Sequence, residues 1–184
     1  ESVFGAGTPV QLVPAEKGFE GWTEQGGGWK IEDGTWLHMG RDIDHNTTCE
    51  ARIGSSFSVS GEIEVTEPGD ETQVWIAHGY PDRGLSGRWI ALRFHWEDGK
   101  TYALLSEQME EPVEIRKIEV GSRFKFKLRC HLTGISLHVD DKPLIENTPI
   151  PPGYVKERYA RLGIGSVCAS ERTRVRIHKL QLNR

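Results

Sequence analysis

Apolar and polar residues alternate strictly in several stretches of this chain. The four clearest stretches are residues 57–65, 73–76, 89–96 and 124–131. Successive side chains of a β-strand point to opposite faces, so a period of two predicts strands with one buried face and one face toward water. Trp75 and Trp89 fall on the polar side, where solubility does not require an aromatic ring. That side is therefore a candidate binding surface.

Turn signals separate these stretches from further strand-like segments. Asp33-Gly34 is the strongest hairpin signal, because a type I′ turn needs residues that tolerate positive φ. The last segment changes phase, which predicts a β-bulge near His178 and Lys179. No window of eleven or more residues carries a helical pattern. About a dozen strands with little or no helix predict an all-β fold, either a two-sheet antiparallel sandwich or a barrel.

Size and charge narrow the class of protein. The chain has 184 residues, which suit a single domain over residues 1–184, and a formal net charge of -4 at pH 7, which argues against nucleic acid. No apolar run approaches the roughly 20 residues that cross a bilayer, so we expect no transmembrane segment. The start, Glu1-Ser2-Val3, lacks an initiator Met and a signal-peptide pattern. We interpret the chain as a fragment of a larger protein and favour an extracytoplasmic or secreted setting.

One part of the sequence resembles a known family. Phe19-Glu20-Gly21-Trp22 followed by the hairpin of residues 28–34 resembles the opening of bacterial 3-keto-disaccharide hydrolase-type domains. The resemblance implies a concanavalin A-like jelly-roll sandwich, related in shape to laminin G modules. Residues 39–43 and 69–73 replace two other motifs of that family. The resemblance therefore implies the fold more strongly than the hydrolase activity.

Three glutamates are weak catalytic candidates. Glu62, Glu64 and Glu67 resemble the Glu-x-Asp-x-x-Glu strand of laminarinase-type endoglucanases, which also adopt a jelly roll. Retaining glycosidases need two carboxyl groups about 5–5.5 Å apart, which a bulged strand could approximate. The middle acid is Glu rather than Asp, however, and alternating glutamates commonly decorate a solvated strand. No catalytic residue is favoured.

Metal and disulfide chemistry have only partial support. Asp42 and Asp44 match the first acidic positions of a calcium-binding loop. Thr47 stands where such a loop has its glycine, and Ile53 stands where it has its final acid. A solvated acidic loop is the favoured interpretation, with no cofactor, and a structural calcium ion at the sandwich rim is the alternative that the laminin G likeness implies. Three cysteines do not form a framework, although a Cys49–Cys168 bridge stays open.

A mixed aromatic and polar set points to sugar. An aromatic ring can cover the apolar face of a pyranose while polar side chains bind its hydroxyls. The candidate residues for this role are Gln73, Trp75, Trp89, Arg93, His95 and Glu64. We therefore favour a non-catalytic carbohydrate-binding or recognition module with a glycan or polysaccharide ligand. The competing interpretation is that both tryptophans are packed beneath a loop, since tryptophan is mostly buried on average.

Two other classes remain as alternatives. One is a glycoside hydrolase-like enzyme of the 3-keto-disaccharide type. The other is a structural or protein-interaction domain, which two charged stripes favour. The basic stripe is Lys125, Lys127, Arg129 and His131, and the acidic stripe is Glu62 and Glu64. Neighbouring strands would neutralise both stripes, whereas separated strands would allow head-to-tail association, so the oligomeric state stays open.

Overall fold

A computed structural model describes residues 10–13, 22–25, 28–40, 42–53, 56–80, 90–107, 112–131, 133–149 and 160–183. These residues contain no helix. Their strands are β1 (Val10–Val13), β2 (Trp22–Gln25), β3 (Trp29–Glu32), β4 (Thr35–Met39), β5 (Asp42–Ile53), β6 (Phe57–Thr66), β7 (Thr72–Tyr80), β8 (Ile90–Glu97), β9 (Lys100–Glu107), β10 (Pro112–Ile118), β11 (Arg123–Cys130), β12 (Ile135–Val139), β13 (Lys142–Thr148), β14 (Ala160–Cys168) and β15 (Arg174–Asn183).

The strands form two antiparallel sheets. Sheet I has the order β13-β12-β11-β6-β15-β4-β3, with β1 added along β15. Sheet II has the order β10-β9-β8-β7-β14-β5-β2. Consecutive strands often lie in different sheets, as β5, β6 and β7 do, so the chain crosses repeatedly between the layers. The predicted all-β sandwich is confirmed. In the part of the chain that the structure describes, no helix is long and apolar enough to cross a bilayer.

The core lies between the two sheets and follows directly from the alternation. Every second residue of β6 is buried from Phe57 to Val65, and every second residue of β11 is buried from Phe124 to Cys130. Phe94 of sheet II packs against Phe124 and Phe126 of sheet I, with ring centroids 4.9 Å and 5.8 Å apart. Inward-facing side chains of both sheets therefore share one apolar layer.

Two local predictions are confirmed. Asp33 and Gly34 have φ angles of 50° and 74°, which fits the type I′ turn that joins β3 to β4. The register between β15 and β6 shifts between Ile177 and Lys179, which is the predicted bulge. Because the bulge restores the phase, Leu180 is fully buried although it lies an odd number of residues beyond Ile177.

Candidate functional site

Four of the predicted sugar-binding residues lie on β7 and β8 of sheet II, namely Gln73, Trp75, Arg93 and His95. β7 and β8 pair so that Gln73 lies opposite His95 and Trp75 lies opposite Arg93. The intervening residues of both strands enter the core. Since side chains alternate along a strand, these four share the outer face of sheet II. Trp89 lies outside the described residues.

Trp75 does not present its ring to solvent. It is 3% exposed and packs with Ala77, Ala91 and the half-buried Val167, in a small cluster apart from the main core. This arrangement corresponds to the packing interpretation that the sequence left open for Trp75. The ring is therefore packed beneath the surface of this face and does not offer an exposed stacking surface.

Polar atoms on the same face are shielded from water. Arg93 Nε and His95 Nε2 make no hydrogen bond within the described residues. The same is true of Oγ of Ser106, a residue of β9 that lies opposite Ala91 of β8. Burial also lowers the pKa of the Arg93 guanidinium. Buried polar groups nearly always have a partner, and an unsatisfied one costs about 1–3 kcal/mol.

Glu64 does not belong to this set, and its predicted place beside Arg93 and His95 is wrong. It lies on the outer face of β6 in sheet I, on the opposite side of the sandwich from β7 and β8. There His178 Nε2 of β15 donates to its carboxylate at 2.5 Å. Alternation assigned Glu64 correctly to a polar face, but strand order assigned that face to the other sheet.

Two of the three catalytic candidates are engaged in side-chain pairs, Glu62 with Arg123 and Glu64 with His178. Glu62 accepts a hydrogen bond from Arg123 Nε at 2.6 Å, and this bond lowers the pKa of the Glu62 carboxyl. Glu67 follows the end of β6 with a positive φ of 48° and is exposed. A general acid at neutral pH needs the opposite perturbation, a pKa raised by apolar burial. The geometry of these glutamates therefore gives no support to acid catalysis.

The Glu62–Arg123 pair predicts a small acid-dependent loss of stability. The folded-state pKa of Glu62 lies below its ordinary value, so its stabilising effect is present above the unfolded pKa and is lost as the pH falls through the folded pKa. We expect Glu62→Gln to flatten the acid limb of the stability curve by less than about 1 kcal/mol, since the pair is on the surface. Urea denaturation between pH 7 and pH 2.5 measures this effect, and an acid limb identical to wild type would contradict it.

Asp42 and Asp44 do not lie in a loop. They begin β5, which pairs with β14 from Cys168 opposite Asp42 to Ala160 opposite Ile53. A calcium loop needs a sharp turn that lets successive residues surround the ion, and an extended strand does not provide it. Within the described ranges, no three His, Cys, Asp or Glu side chains converge on a point that could hold a metal ion. The expectation of an acidic loop at Asp42 and Asp44, solvated or calcium-binding, is therefore wrong.

The strand register also excludes the Cys49–Cys168 disulfide. Cys168 lies opposite Asp42, and Cys49 is seven residues further along β5. At about 3.3 Å per residue, the two Cα atoms are roughly 23 Å apart, far beyond the usual disulfide limit of about 7 Å. Cys130, by contrast, is buried on the inner face of β11 as predicted, and burial raises its thiol pKa to about 12.

A buried polar cluster was not predicted from the sequence. Nδ1 of His38 lies 2.5 Å from Oγ of Ser166 and 3.4 Å from Sγ of Cys168. His38 belongs to sheet I and the other two belong to sheet II, so the cluster joins the sheets. His38 and Ser166 are fully buried and 128 residues apart in sequence. No local sequence motif predicts this contact. The burial of both side chains indicates that the cluster has a structural role.

Strand order and layering together define a concanavalin A-like β-sandwich, the class of fold found in lectins. No family model matches the chain, and no curated protein matches its sequence. The 3-keto-disaccharide hydrolase resemblance therefore stays a prediction.

Solved structures show the same fold at low sequence identity. The chain is similar to lectin II from Ulex europaeus, with a TM-score of 0.71 and 10% identity over 97% of this chain and 99% of that one. It is also similar to the potassium-bound carbohydrate recognition domain of Emp46p, with a TM-score of 0.67 and 13% identity over 91% of this chain and 90% of that one. A protein of unknown function with a galectin-like fold from Bacillus subtilis gives a TM-score of 0.71 and 11% identity over 98% of both chains.

Proposed function

We propose that this protein is a non-catalytic carbohydrate-binding module that holds a glycan on the outer face of sheet II. The observation that carries the proposal is the half-buried polar set of Gln73, Arg93 and His95 on the outer face of β7 and β8, in which Arg93 Nε and His95 Nε2 have no partner among the described residues. The lectin-like fold supports it, because solved structures of that fold include carbohydrate recognition domains. An extracytoplasmic or secreted setting, where polysaccharides are met, belongs to the same proposal.

The chemistry of this face suits a sugar better than a charged or apolar ligand. Neighbouring side chains across an antiparallel pair are about 5 Å apart, so guanidinium, imidazole and amide groups form an array with close spacing. Sugar hydroxyls both donate and accept hydrogen bonds, and they can satisfy donors and acceptors in such an array. Trp75 lies opposite Arg93 and packs with Ala77 and Ala91 in the layer of apolar side chains on this face.

Removal of the Arg93 side chain tests the proposal. Wild-type protein is screened on a glycan array, and the affinity for the best ligand is measured by calorimetry. We expect Arg93→Ala to weaken binding by about tenfold to a hundredfold, because a hydrogen bond to a charged group is lost. The thermal midpoint should stay the same or rise, since the substitution removes a partly desolvated charge.

Arg116→Ala is the matched control. Arg116 is an exposed arginine of β10 in the same sheet, paired with Glu114. Its loss changes the net charge equally and should leave glycan affinity unchanged. A blank array for wild-type protein, or equal binding by Arg93→Ala and wild type, would contradict the proposal. A large fall in the thermal midpoint of Arg93→Ala would assign the side chain a structural role instead.

A further inference from the structure

The outer face of sheet I keeps a basic stripe that its neighbours do not neutralise. β11 and β6 are adjacent, with Lys125 opposite Glu62. The next residues along β11, Lys127 and Arg129, lie opposite Ser60 and Ser58. Neutralisation between the two stripes is therefore confined to one end, where Glu62 is already bonded to Arg123 and Glu64 to His178.

A groove runs along this face above β6. On the other side of β6, β15 places Lys179 opposite Glu62 and Gln181 opposite Ser60. A short serine side chain between long neighbours leaves a depression of about 460 Å³. Lys125, Lys127 and Arg129 form one wall, Lys179 and Gln181 form the other, and His138 of β12 lies beyond the first wall.

The groove carries a positive charge on a protein that is negative as a whole. Four cationic side chains line it, against the carboxylates of Glu62 and Asp141. None of the four cations makes an ion pair of 4.0 Å or less with another described residue. The formal net charge of the chain is -4, so the charge of the groove is opposite in sign to that of the protein as a whole.

We propose that this groove is a second binding site, for an acidic polysaccharide that carries carboxylate or sulfate groups. Outward-facing residues of β11 repeat about every 6.7 Å. Lys125, Lys127 and Arg129 therefore form a row of cations roughly 13 Å long, which matches the spaced charges of an extended polyanion. The Ser60 hydroxyl and the Gln181 amide lie beside them and suit sugar hydroxyls. This site is on the opposite sheet from Arg93 and does not depend on the function proposed for sheet II.

A polysaccharide fits this groove better than a nucleic acid does. Single-stranded nucleic acids gain affinity by stacking bases on aromatic side chains. Two rings belong to the groove residues. Phe126 is 3% exposed and packs against Phe94 in the core, and His138 is half-buried beyond the lysine wall. The groove therefore offers cations and hydroxyl-binding groups but no exposed Phe, Tyr or Trp ring within the described residues.

Binding to heparin and to polygalacturonate tests the proposal, with neutral dextran as the uncharged probe. We expect wild-type protein to bind at least one of the two acidic polymers and not to bind dextran. The affinity for the acidic polymer should fall as the salt concentration is raised. Lys127→Gln with Arg129→Gln should weaken binding by about tenfold, through the loss of two exposed charge pairs. The matched control is Lys100→Gln with Lys117→Gln, an equal charge change on exposed residues of sheet II, which should bind like wild type.

A gain of affinity provides a test that misfolding cannot imitate. Glu62→Gln removes a negative charge from the groove and releases Arg123 from its ion pair. We expect this nearly isosteric change to strengthen binding of the acidic polymer by about threefold.

Several outcomes would overturn the proposal. One is the absence of salt-dependent binding to both acidic polymers. Another is an equal loss of polymer affinity in the Lys127/Arg129 and Lys100/Lys117 variants, which would show general electrostatic attraction rather than binding in the groove. Preferential binding of single-stranded poly(dT) would assign the groove to nucleic acid. Self-association that the Lys127/Arg129 variant abolishes, without polymer binding, would assign it to a second copy of the chain.

Discussion

Replacement of Phe124 by alanine is expected to lower the free energy of unfolding by about 3–5 kcal/mol, the usual range for a buried phenylalanine. Phe124 is 2% exposed, and its ring centroid lies 4.9 Å from that of Phe94 and 6.4 Å from that of Trp96. Both partners belong to β8 of the other sheet. The substitution therefore opens a cavity at the contact between the two layers. Urea denaturation followed by tryptophan fluorescence measures the change.

Two further variants separate this packing effect from a general loss of apolar surface. Phe124→Leu keeps most of the side-chain volume and should lower stability by about 1.5 kcal/mol or less. Ile115 of β10 is 51% exposed, so Ile115→Ala should change stability by no more than about 0.5 kcal/mol. If Phe124→Ala were as mild as Ile115→Ala, the two sheets would not be held together by this aromatic contact.

Much of the fold could be predicted because its signals are local. The alternation in β6 and β11 is long enough to define buried and exposed positions residue by residue. The Asp33-Gly34 turn and the bulge near His178 also follow from short-range backbone chemistry. The four-residue strands β1 and β2 were not predicted, because four residues are too few to establish a period and neither strand adjoins a hairpin turn such as Asp33-Gly34, which identified the equally short β3.

The site was only partly predictable because it depends on strand order. Alternation places a side chain on a face, but it does not say to which sheet that face belongs. Glu64 and Arg93 both alternate correctly, yet they lie on opposite sides of the sandwich. Likewise, Asp42 and Asp44 have the composition of a loop, but pairing with β14 keeps this segment extended. Tertiary pairing overrides local propensity in both cases.

The two faces also differ in what the sequence could say about charge. Lys127 and Arg129 were recognised as part of a basic stripe, but their neutralisation depended on the residues opposite them. Those residues are serines of β6, which the register alone identifies. On sheet II, Arg93 Nε is shielded from water although Arg93 stands at a polar position of the alternation, and no alternating pattern reports such shielding. Charge patterns are readable in the sequence, whereas desolvation is a property of the fold.

The second large effect is expected at Gly61, in the middle of β6. A Cβ atom there would lie 2.5 Å from Cε1 of Phe126 and 2.9 Å from the carbonyl oxygen of Lys179, both closer than ordinary contacts. The aromatic ring of β11 occupies the space that any side chain at position 61 would need. Gly61→Ala should therefore lower the free energy of unfolding by about 2–3 kcal/mol, as overpacking of a core does. Gly121→Ala is the control, because a Cβ there meets nothing closer than 3.8 Å.

A second-site change shows whether Phe126 is the cause. Phe126→Leu alone should destabilise the protein by leaving a gap in the core, but in the Gly61→Ala background it removes the ring that the new methyl group strikes. The two substitutions should then be less destabilising together than the sum of their separate effects, by about 1 kcal/mol, as expected for residues in direct contact. Chemical denaturation of the four proteins of this cycle gives the coupling energy. Strict additivity would mean that the Lys179 carbonyl, rather than the Phe126 ring, requires glycine at position 61.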